Sequence, residues 1–110
     1  MVDTILYNDF KKLDLRVGQV KEAELVQGSN NLIKMKVDMG TEERQIVAGI
    51  AQCYKPEELI GKQIIIVANL EPKVIRGLES KGMLLAAGET INDIVLLTID
   101  KQVKNGMMVQ

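Results

Sequence analysis

The sequence predicts an all-β domain with one short helix, folded as a small closed barrel. Its apolar residues either alternate with polar ones or form short β-branched runs, and both patterns are typical of strands. Three predicted strands precede the helix and further strands follow it, an order that suits a barrel with a helix over one end. The 110 residues are 46% hydrophobic and contain no repeat or linker, so we expect a single domain over residues 1–110.

The N-terminal part is predicted to contain a short helical turn followed by a long, bent strand. Asp9 lies between apolar residues, where its side chain is a candidate helix cap. Over residues 15–26 the apolar positions alternate and then change parity after Gly18. A bulge that curves the strand explains this change of parity.

The second and third strands are predicted by alternation and by turn residues. In residues 33–39 apolar side chains alternate with polar ones, so Lys34 and Lys36 share one outer face. Glycine and polar residues flank this strand, and residues 44–50 run back beside it.

The second half of the chain is predicted to begin with a helix over residues 55–61. A proline at its first position, acids in its first turn and a glycine after its end indicate this helix. The β-branched runs at residues 64–68 and 94–99 are predicted to be central strands. Between them, residues 69–81 are polar and rich in turn residues, and residues 82–88 form a short strand.

This order of elements is that of the five-stranded oligonucleotide/oligosaccharide-binding (OB) barrel, here with N- and C-terminal extensions. An SH3-like barrel and a small α+β sandwich share the same pattern. Periodicity alone therefore leaves these three topologies open.

The composition excludes several classes of function. With no histidine and no tryptophan, the chain lacks the usual general base and the usual zinc ligand, so we expect no catalytic residue, metal or cofactor. A single cysteine, Cys53, favours a reducing compartment such as the cytoplasm. No apolar run approaches the roughly 20 residues of a membrane span, and no leader pattern opens the chain, so we expect no membrane partner.

The charges balance overall but are unevenly placed. Fourteen basic and fifteen acidic residues give a net charge of −1, yet residues 62–83 hold four basic residues against two acidic ones. With Lys34 and Lys36, this cluster suits either a phosphate-contacting surface or a solvated face that keeps the domain soluble. The three aromatic residues lie outside the predicted groove, which favours folded RNA over a single strand as any nucleic-acid ligand.

Residues 67–87, VANLEPKVIRGLESKGMLLAA, closely resemble the tRNA-binding domain shared by stand-alone tRNA-binding proteins and methionyl-tRNA synthetases. Further segments resemble the same family in the expected order, at residues 9–18, 36–40, 44–50 and 54–59. The resemblance implies an OB-fold dimer that binds the outside of folded tRNA by shape and performs no chemistry of its own. It also implies a synthetase partner, such as a methionyl-tRNA synthetase catalytic subunit.

By position, the resemblance assigns the tRNA contacts to Asn69, Lys73, Arg76, Ser80 and Met83. Lys73 and Arg76 would pair with phosphates. Asn69 and Ser80 would hydrogen-bond to backbone or 2′-hydroxyl groups, and Met83 would pack against a sugar or base. Lys34 and Lys36 are added because of their exposed strand face.

Two segments place the chain within that family. Residues 26–32 read VQGSNNL where the family usually has His-Pro-x-Ala-Asp-Lys-Leu, so a basic contact is missing at Asn31. The CsaA-like export chaperones of the family typically lack the Ser-x-Gly-Met run, which this chain carries from Ser80 to Met83. The chain therefore has the synthetase-type segment, and a CsaA-like, peptide-binding dimer is the alternative.

Both ends of the chain are more apolar than a solvated tail requires. The resemblance implies that they form a homodimer interface, with candidate residues Ile5, Leu6, Tyr7, Phe10, Met107, Met108 and Val109. The other interpretation is that these residues complete the core of the monomer.

Overall fold

The computed structural model describes residues 2–110, which form short strands and two one-turn helices. The first half contains α1 (Tyr7–Phe10), β1 (Leu15–Leu25), β2 (Ile33–Asp38), β3 (Glu43–Ala48) and α2 (Pro56–Leu59). The second half contains β4 (Gln63–Val67), β5 (Lys73–Ile75), β6 (Leu78–Ser80), β7 (Met83–Leu84), β8 (Ala86–Ala87), β9 (Val95–Leu96) and β10 (Met108–Val109). Within residues 2–110, no helix has the length and apolar character needed to cross a bilayer.

Five antiparallel strands in the order β3-β2-β1-β4-β7 form a curled sheet with the OB-like fold that the sequence predicts. The first half of β1 pairs with β4 and its second half with β2, so one long strand serves both halves of the sheet. The register of β1 against β2 shifts between Val20 and Glu22. This bulge confirms the predicted bend and places it just beyond Gly18.

The buried residues come from both halves of the curled sheet and from α2. Ile33 and Ile46 on β2 and β3 pack into one cluster with Ile64 and Ile66 on β4. The predicted helix over residues 55–61 is observed as α2, which buries Leu59 completely in that cluster.

The edge of the sheet beside β3 is closed by a few hydrogen bonds and not by a continuous ladder. The Lys81 amide donates to the Gln45 carbonyl over 2.8 Å, and the Gln45 side-chain amide donates to the Glu79 carbonyl over 2.9 Å. The chain between β4 and β7 is therefore fixed against β3.

One local prediction is incomplete and two are wrong. The polar, turn-rich excursion predicted for residues 69–81 contains two strands that were not predicted, because β5 and β6 pair there as a hairpin. The predicted central strand at residues 94–99 is reduced to β9, which pairs only with β8 and leaves Val95 mostly exposed. Asp9 does not cap α1: Leu6 is the N-cap residue without a side-chain bond, and Asp9 pairs with Lys12 at 3.1 Å.

The C-terminal segment, residues 98–109, is bonded to Gln63 at the start of β4 and ends beside the start of β1. The Gln63 side chain donates to the Val103 carbonyl over 2.6 Å and accepts from the Val103 amide over 3.1 Å. Gln63 also donates to Asn105, whose amide donates to Asp38 over 3.2 Å. These bonds carry β10 to its place beside Leu15 and Arg16.

Candidate nucleic-acid interface

The hairpin formed by β5 and β6, here called the arm, lies beside β3 and has a tight turn at its tip. Ile75 pairs with Leu78, so Arg76 and Gly77 form a two-residue turn in which φ is +51° and +78°. Two positive φ angles are the signature of a type I′ turn, which matches the twist of paired strands. In residues 2–110, Arg76 is the one non-glycine residue with a positive φ. The arm thus holds an exposed arginine at its tip in a conformation that costs about 1 kcal/mol.

The arm presents two basic side chains that form no salt bridge with any acid of residues 2–110. Lys73 and Arg76 are exposed, and neither takes part in any of the six salt bridges of residues 2–110. Met83, at the start of β7, is about half exposed and follows the arm by three residues. Charged donors and an apolar contact are the groups that bind a phosphate–sugar backbone.

Ser80 is buried, with 4% of its surface exposed, and is withdrawn from the predicted interface. Its hydroxyl accepts a hydrogen bond from the Val47 amide over 3.0 Å and donates to the Gly82 carbonyl over 3.2 Å. Ser80 is buried because β3 and the arm are not joined by regular backbone pairing, and its hydroxyl supplies a hydrogen bond between them. Ser80 therefore holds the arm and does not face a ligand.

Asn69 is exposed, but its side-chain amide is occupied by the protein itself. Its nitrogen donates to the Lys12 carbonyl over 2.7 Å, and its oxygen accepts from the Asp14 amide over 2.9 Å. These bonds fix the segment between α1 and β1 to the end of β4. Asn69 therefore has a structural role, and its contact with RNA stays a prediction.

Lys34 and Lys36 lie on the outer face of β2, as predicted, but each is paired with an acid. Glu24 lies opposite Lys34 and Glu22 lies opposite Lys36 on β1. The Nζ to carboxylate distances are 2.7 Å for Lys34 and 3.7 Å for Lys36. We call these four residues the ladder; they line one side of a cavity of about 520 Å³.

Asn31, where the family's basic contact is missing, is turned toward the protein. Its side-chain nitrogen lies 2.8 Å from the place where a Cβ of Gly49 would be, and its carbonyl accepts from Ala51 over 2.9 Å. The neighbouring Gly28 lies close to the arm, since Arg76 Nη1 is 3.9 Å from the Cβ position of Gly28. The β1–β2 loop therefore flanks the tip of the arm without adding a charge.

Two further arginines are engaged within the protein. Arg44 donates to the Ala68 carbonyl over 2.6 Å and to Glu42 over 3.3 Å. Its guanidinium holds the pKa of the Glu42 carboxyl below the usual value. Arg16 donates to Asp14 and to the Gly106 carbonyl. Both guanidinium groups that line the cavity of about 590 Å³ are therefore already bonded to acids and carbonyls of the protein.

Sequence reasoning missed Gln45 as a residue that supports the arm. Its backbone and side chain both bond to the arm and the residue after it, although more than 30 positions separate them in sequence. No local pattern reports such a contact. The one available signal is that Gln45 lies in residues 44–50, one of the segments that resemble the tRNA-binding family.

The predicted dimer residues fall into two structurally different groups. Ile5, Leu6 and Tyr7 are 64%, 71% and 70% exposed, and α1 buries none of its residues. By contrast, the backbone of the C-terminal group belongs to the monomer's own sheet, because β10 pairs with β1 and the Met107 carbonyl accepts from Val17. The side chains of Met107 and Met108 are about half exposed.

A curled five-stranded sheet that carries a basic arm defines an OB-like binding module. The model of the family described as "Putative tRNA binding domain" matches residues 15–108. The chain belongs to this family.

Named relatives agree with that family. A methionine–tRNA ligase of Caldanaerobacter subterraneus subsp. tengcongensis is 54% identical over 105 residues, which are 96% of this chain and 16% of that protein. The chain thus spans about a sixth of the length of the curated relatives it matches.

Solved structures cover nearly the whole chain. A MetRS-related protein from Pyrococcus horikoshii superposes with a TM-score of 0.92 and 41% identity, over 99% of this chain and all of that one (100%). The chaperone CsaA from Bacillus anthracis superposes with a TM-score of 0.89 and 34% identity, over 98% of this chain and 100% of that one. Both kinds of relative thus share the fold of this chain.

Proposed function

We propose that this chain is a non-catalytic module that binds folded tRNA by shape and phosphate contacts. In this role it serves a methionyl-tRNA synthetase in the cytoplasm, in trans or as a β-subunit. The observation that carries the proposal is the arm, where Lys73 and Arg76 are exposed and unpaired. The family match and the synthetase relatives support tRNA as the ligand.

The rigidity of the arm favours recognition of a preformed RNA surface. A two-residue turn, the Ser80 hydroxyl and the Gln45 amide fix the arm before any ligand arrives. Little conformational entropy is then lost on binding, so a rigid RNA of matching contour is bound more tightly than a flexible strand. Lys73 and Arg76 would contact phosphates, while Met83 would pack against a sugar or base.

A filter-binding titration of tRNA across a range of salt concentrations tests this function. About four to eight neutralised phosphates per dimer would lower the affinity steeply between about 50 and 200 mM salt. In the variant Lys73→Ala/Arg76→Ala we expect the magnitude of the salt slope to fall by about 2 for each protomer that contacts the tRNA, and the thermal transition to stay unchanged.

The variant Lys62→Ala/Lys101→Ala is the matched control. Both lysines are exposed and outside the six salt bridges of residues 2–110, and neither belongs to the arm. Equal loss of affinity in the two variants would mean that tRNA binding follows total charge and not the arm.

A second candidate function is peptide binding by a CsaA-like dimer. The similarity to the CsaA structure and the exposed apolar residues near the N-terminus favour it. A peptide binder would show saturable binding of unfolded polypeptide, and its affinity for tRNA would show almost no dependence on salt. The same titration therefore separates the two functions.

We also infer that the chain acts as a homodimer through its N-terminal segment. Ile5, Leu6 and Tyr7 expose apolar surface that the described chain leaves uncovered, next to a segment that Asn69 holds in place. Sedimentation equilibrium of Leu6→Asp tests this, since a buried charge at the interface would give monomers. A wild-type monomer at micromolar concentration would contradict the inference.

Association with a synthetase is tested separately. We expect the chain to co-purify with a methionyl-tRNA synthetase catalytic subunit and to raise its kcat/KM for tRNA. An unchanged kcat/KM with tRNA binding intact would leave a free-standing tRNA-binding protein.

A further inference from the structure

The positive charges on the outside of the protein fall into two classes. On the arm, Lys73 and Arg76 have no carboxylate partner within residues 2–110. On the ladder, Lys34 and Lys36 each have a glutamate directly across the β1–β2 pair. The unpaired and the paired basic residues lie on different strands of the same small domain. A polyanion that approaches the protein can therefore encounter either kind.

The ladder has the geometry of a neutralised surface. Glu22 and Glu24 are 73% and 64% exposed, so both are accessible to solvent and to any ligand that reaches the lysines. A phosphate that approaches Lys34 must displace or lie beside the Glu24 carboxylate, which is only 2.7 Å from the same ammonium. The repulsion between phosphate and carboxylate offsets the attraction of the lysine.

The position of the ladder explains why such neutralisation matters. These strands form an open face beside a cavity of about 520 Å³, where two bare lysines would attract any polyanion. Contacts with phosphates carry no information about the sequence or shape of a flexible strand. Bare lysines on this face would therefore add affinity without discrimination.

We propose that Glu22 and Glu24 are specificity-determining residues that confine RNA binding to the arm. They neutralise the outer face of β1 and β2, so flexible single-stranded RNA binds only weakly there. Folded RNA that fits the arm is therefore favoured. This inference rests on the proposed tRNA-binding function. It assigns a role to two acids on a face where the sequence had singled out only the lysines.

The test compares wild type with Glu22→Gln/Glu24→Gln, in which the side chains keep their size and lose their charge. Filter binding is measured with folded tRNA and with an unstructured single-stranded RNA of equal length, between about 50 and 200 mM salt. Two newly available phosphate contacts would steepen the single-strand slope by about 1.4. Over that fourfold salt range, the affinity of the variant for the single strand would fall about sevenfold more than that of wild type.

The matched control is Glu57→Gln/Glu89→Gln, which removes two negative charges from exposed residues outside the six salt bridges. We expect the preference for tRNA over the single strand to fall in the ladder variant and to stay at the wild-type value in the control. In addition, Lys34→Ala/Lys36→Ala should change tRNA affinity less than twofold.

Each other outcome has a distinct meaning. An unchanged preference in the ladder variant, or an equal fall in the control, overturns the role of Glu22 and Glu24 while tRNA binding by wild type stands. Weaker tRNA binding by the ladder variant, with an unchanged thermal transition, also overturns it, because the glutamates would then assist binding. A wild-type protein that shows no salt-dependent binding of tRNA refutes the proposed function itself.

Discussion

Arg76 combines an unfavourable backbone conformation with an exposed position at the turn of the arm. The type I′ turn needs positive φ at both central residues, and asparagine followed by glycine is the preferred pair. The stability of the turn therefore does not explain why its first position is an arginine. Strain of this kind is found where a side chain has a task.

The substitution Arg76→Asn separates stability from binding. We expect the free energy of unfolding to stay equal or rise by about 0.5–1 kcal/mol, because Asn adopts the left-handed region with less strain than Arg. The affinity for tRNA should fall about tenfold or more, as one charge-assisted contact is lost. Urea unfolding and filter binding measure the two effects, and a variant that is less stable yet binds normally would contradict both expectations.

Ser80 gives the opposite case, a residue assigned to RNA by resemblance and to structure by its contacts. In Ser80→Ala the Val47 amide loses its hydrogen bond to the hydroxyl in a buried site, which should lower the free energy of unfolding by about 1–3 kcal/mol. Thr41→Ala, at an exposed residue, should change it by less than about 0.5 kcal/mol. Equal stability of the two variants in urea would show that the hydroxyl does not close the sheet.

Among the elements, β1 is the one that the sequence describes best and the C-terminal segment the one it describes least. A change of parity reports a bulge because side chains alternate along a strand. The path of residues 98–109 depends instead on Gln63, whose amide binds both backbone groups of Val103. In the sequence, Gln63 is a single polar residue at the start of an apolar strand, and no local pattern indicates that Val103 is its partner.

Gln63→Leu tests whether this one side chain holds the C-terminal segment. The Val103 amide and carbonyl would lose their partners. We therefore expect faster hydrogen exchange at residues 98–109, while the backbone amides that pair β1 with β4 stay protected. The unfolding free energy should fall by about 1–3 kcal/mol. Gln52→Leu, which removes one exposed bond to Asn30, is the control and should leave exchange in the segment unchanged.

At the scale of the whole molecule, charge sets the response of stability to pH. Hydrogen bonds from the Gly40 amide and the Asn105 side chain lower the pKa of Asp38. Bonds from the Thr90 and Glu89 amides lower the pKa of Asp93, and Arg44 lowers the pKa of Glu42. Each carboxyl therefore stabilises the fold above its unfolded pKa of about 4, and this stabilisation is lost as pH falls through the lower folded values.

We therefore expect the urea midpoint to be nearly constant between about pH 5 and 8, since the chain has no histidine, and to fall below about pH 4. Asp93→Asn should be less stable than wild type at pH 7 and should lose less on acidification. A midpoint of wild type that stays constant down to about pH 2.5 would contradict this account.

The sequence determined much of the molecule without any coordinates. Alternation and β-branched runs predicted the strands and the bend in β1, because the period of side chains is a local property of the backbone. Helix α2 was predicted by its proline, its first-turn acids and the glycine after its end. Resemblance located the arm residues Lys73 and Arg76. Neither source of inference requires knowledge of which distant residues meet.

Which polar side chains are already bonded within the protein became clear from the three-dimensional fold alone. Asn69 and Ser80 have the chemistry of RNA ligands, yet their bonds are used by backbone groups that are distant in sequence. Lys34 and Lys36 likewise have the right charge, and cross-strand glutamates neutralise it. The physical reason is that a hydrogen bond or an ion pair is satisfied in space, so the residue type fixes what a side chain can do and the fold fixes with whom it does it.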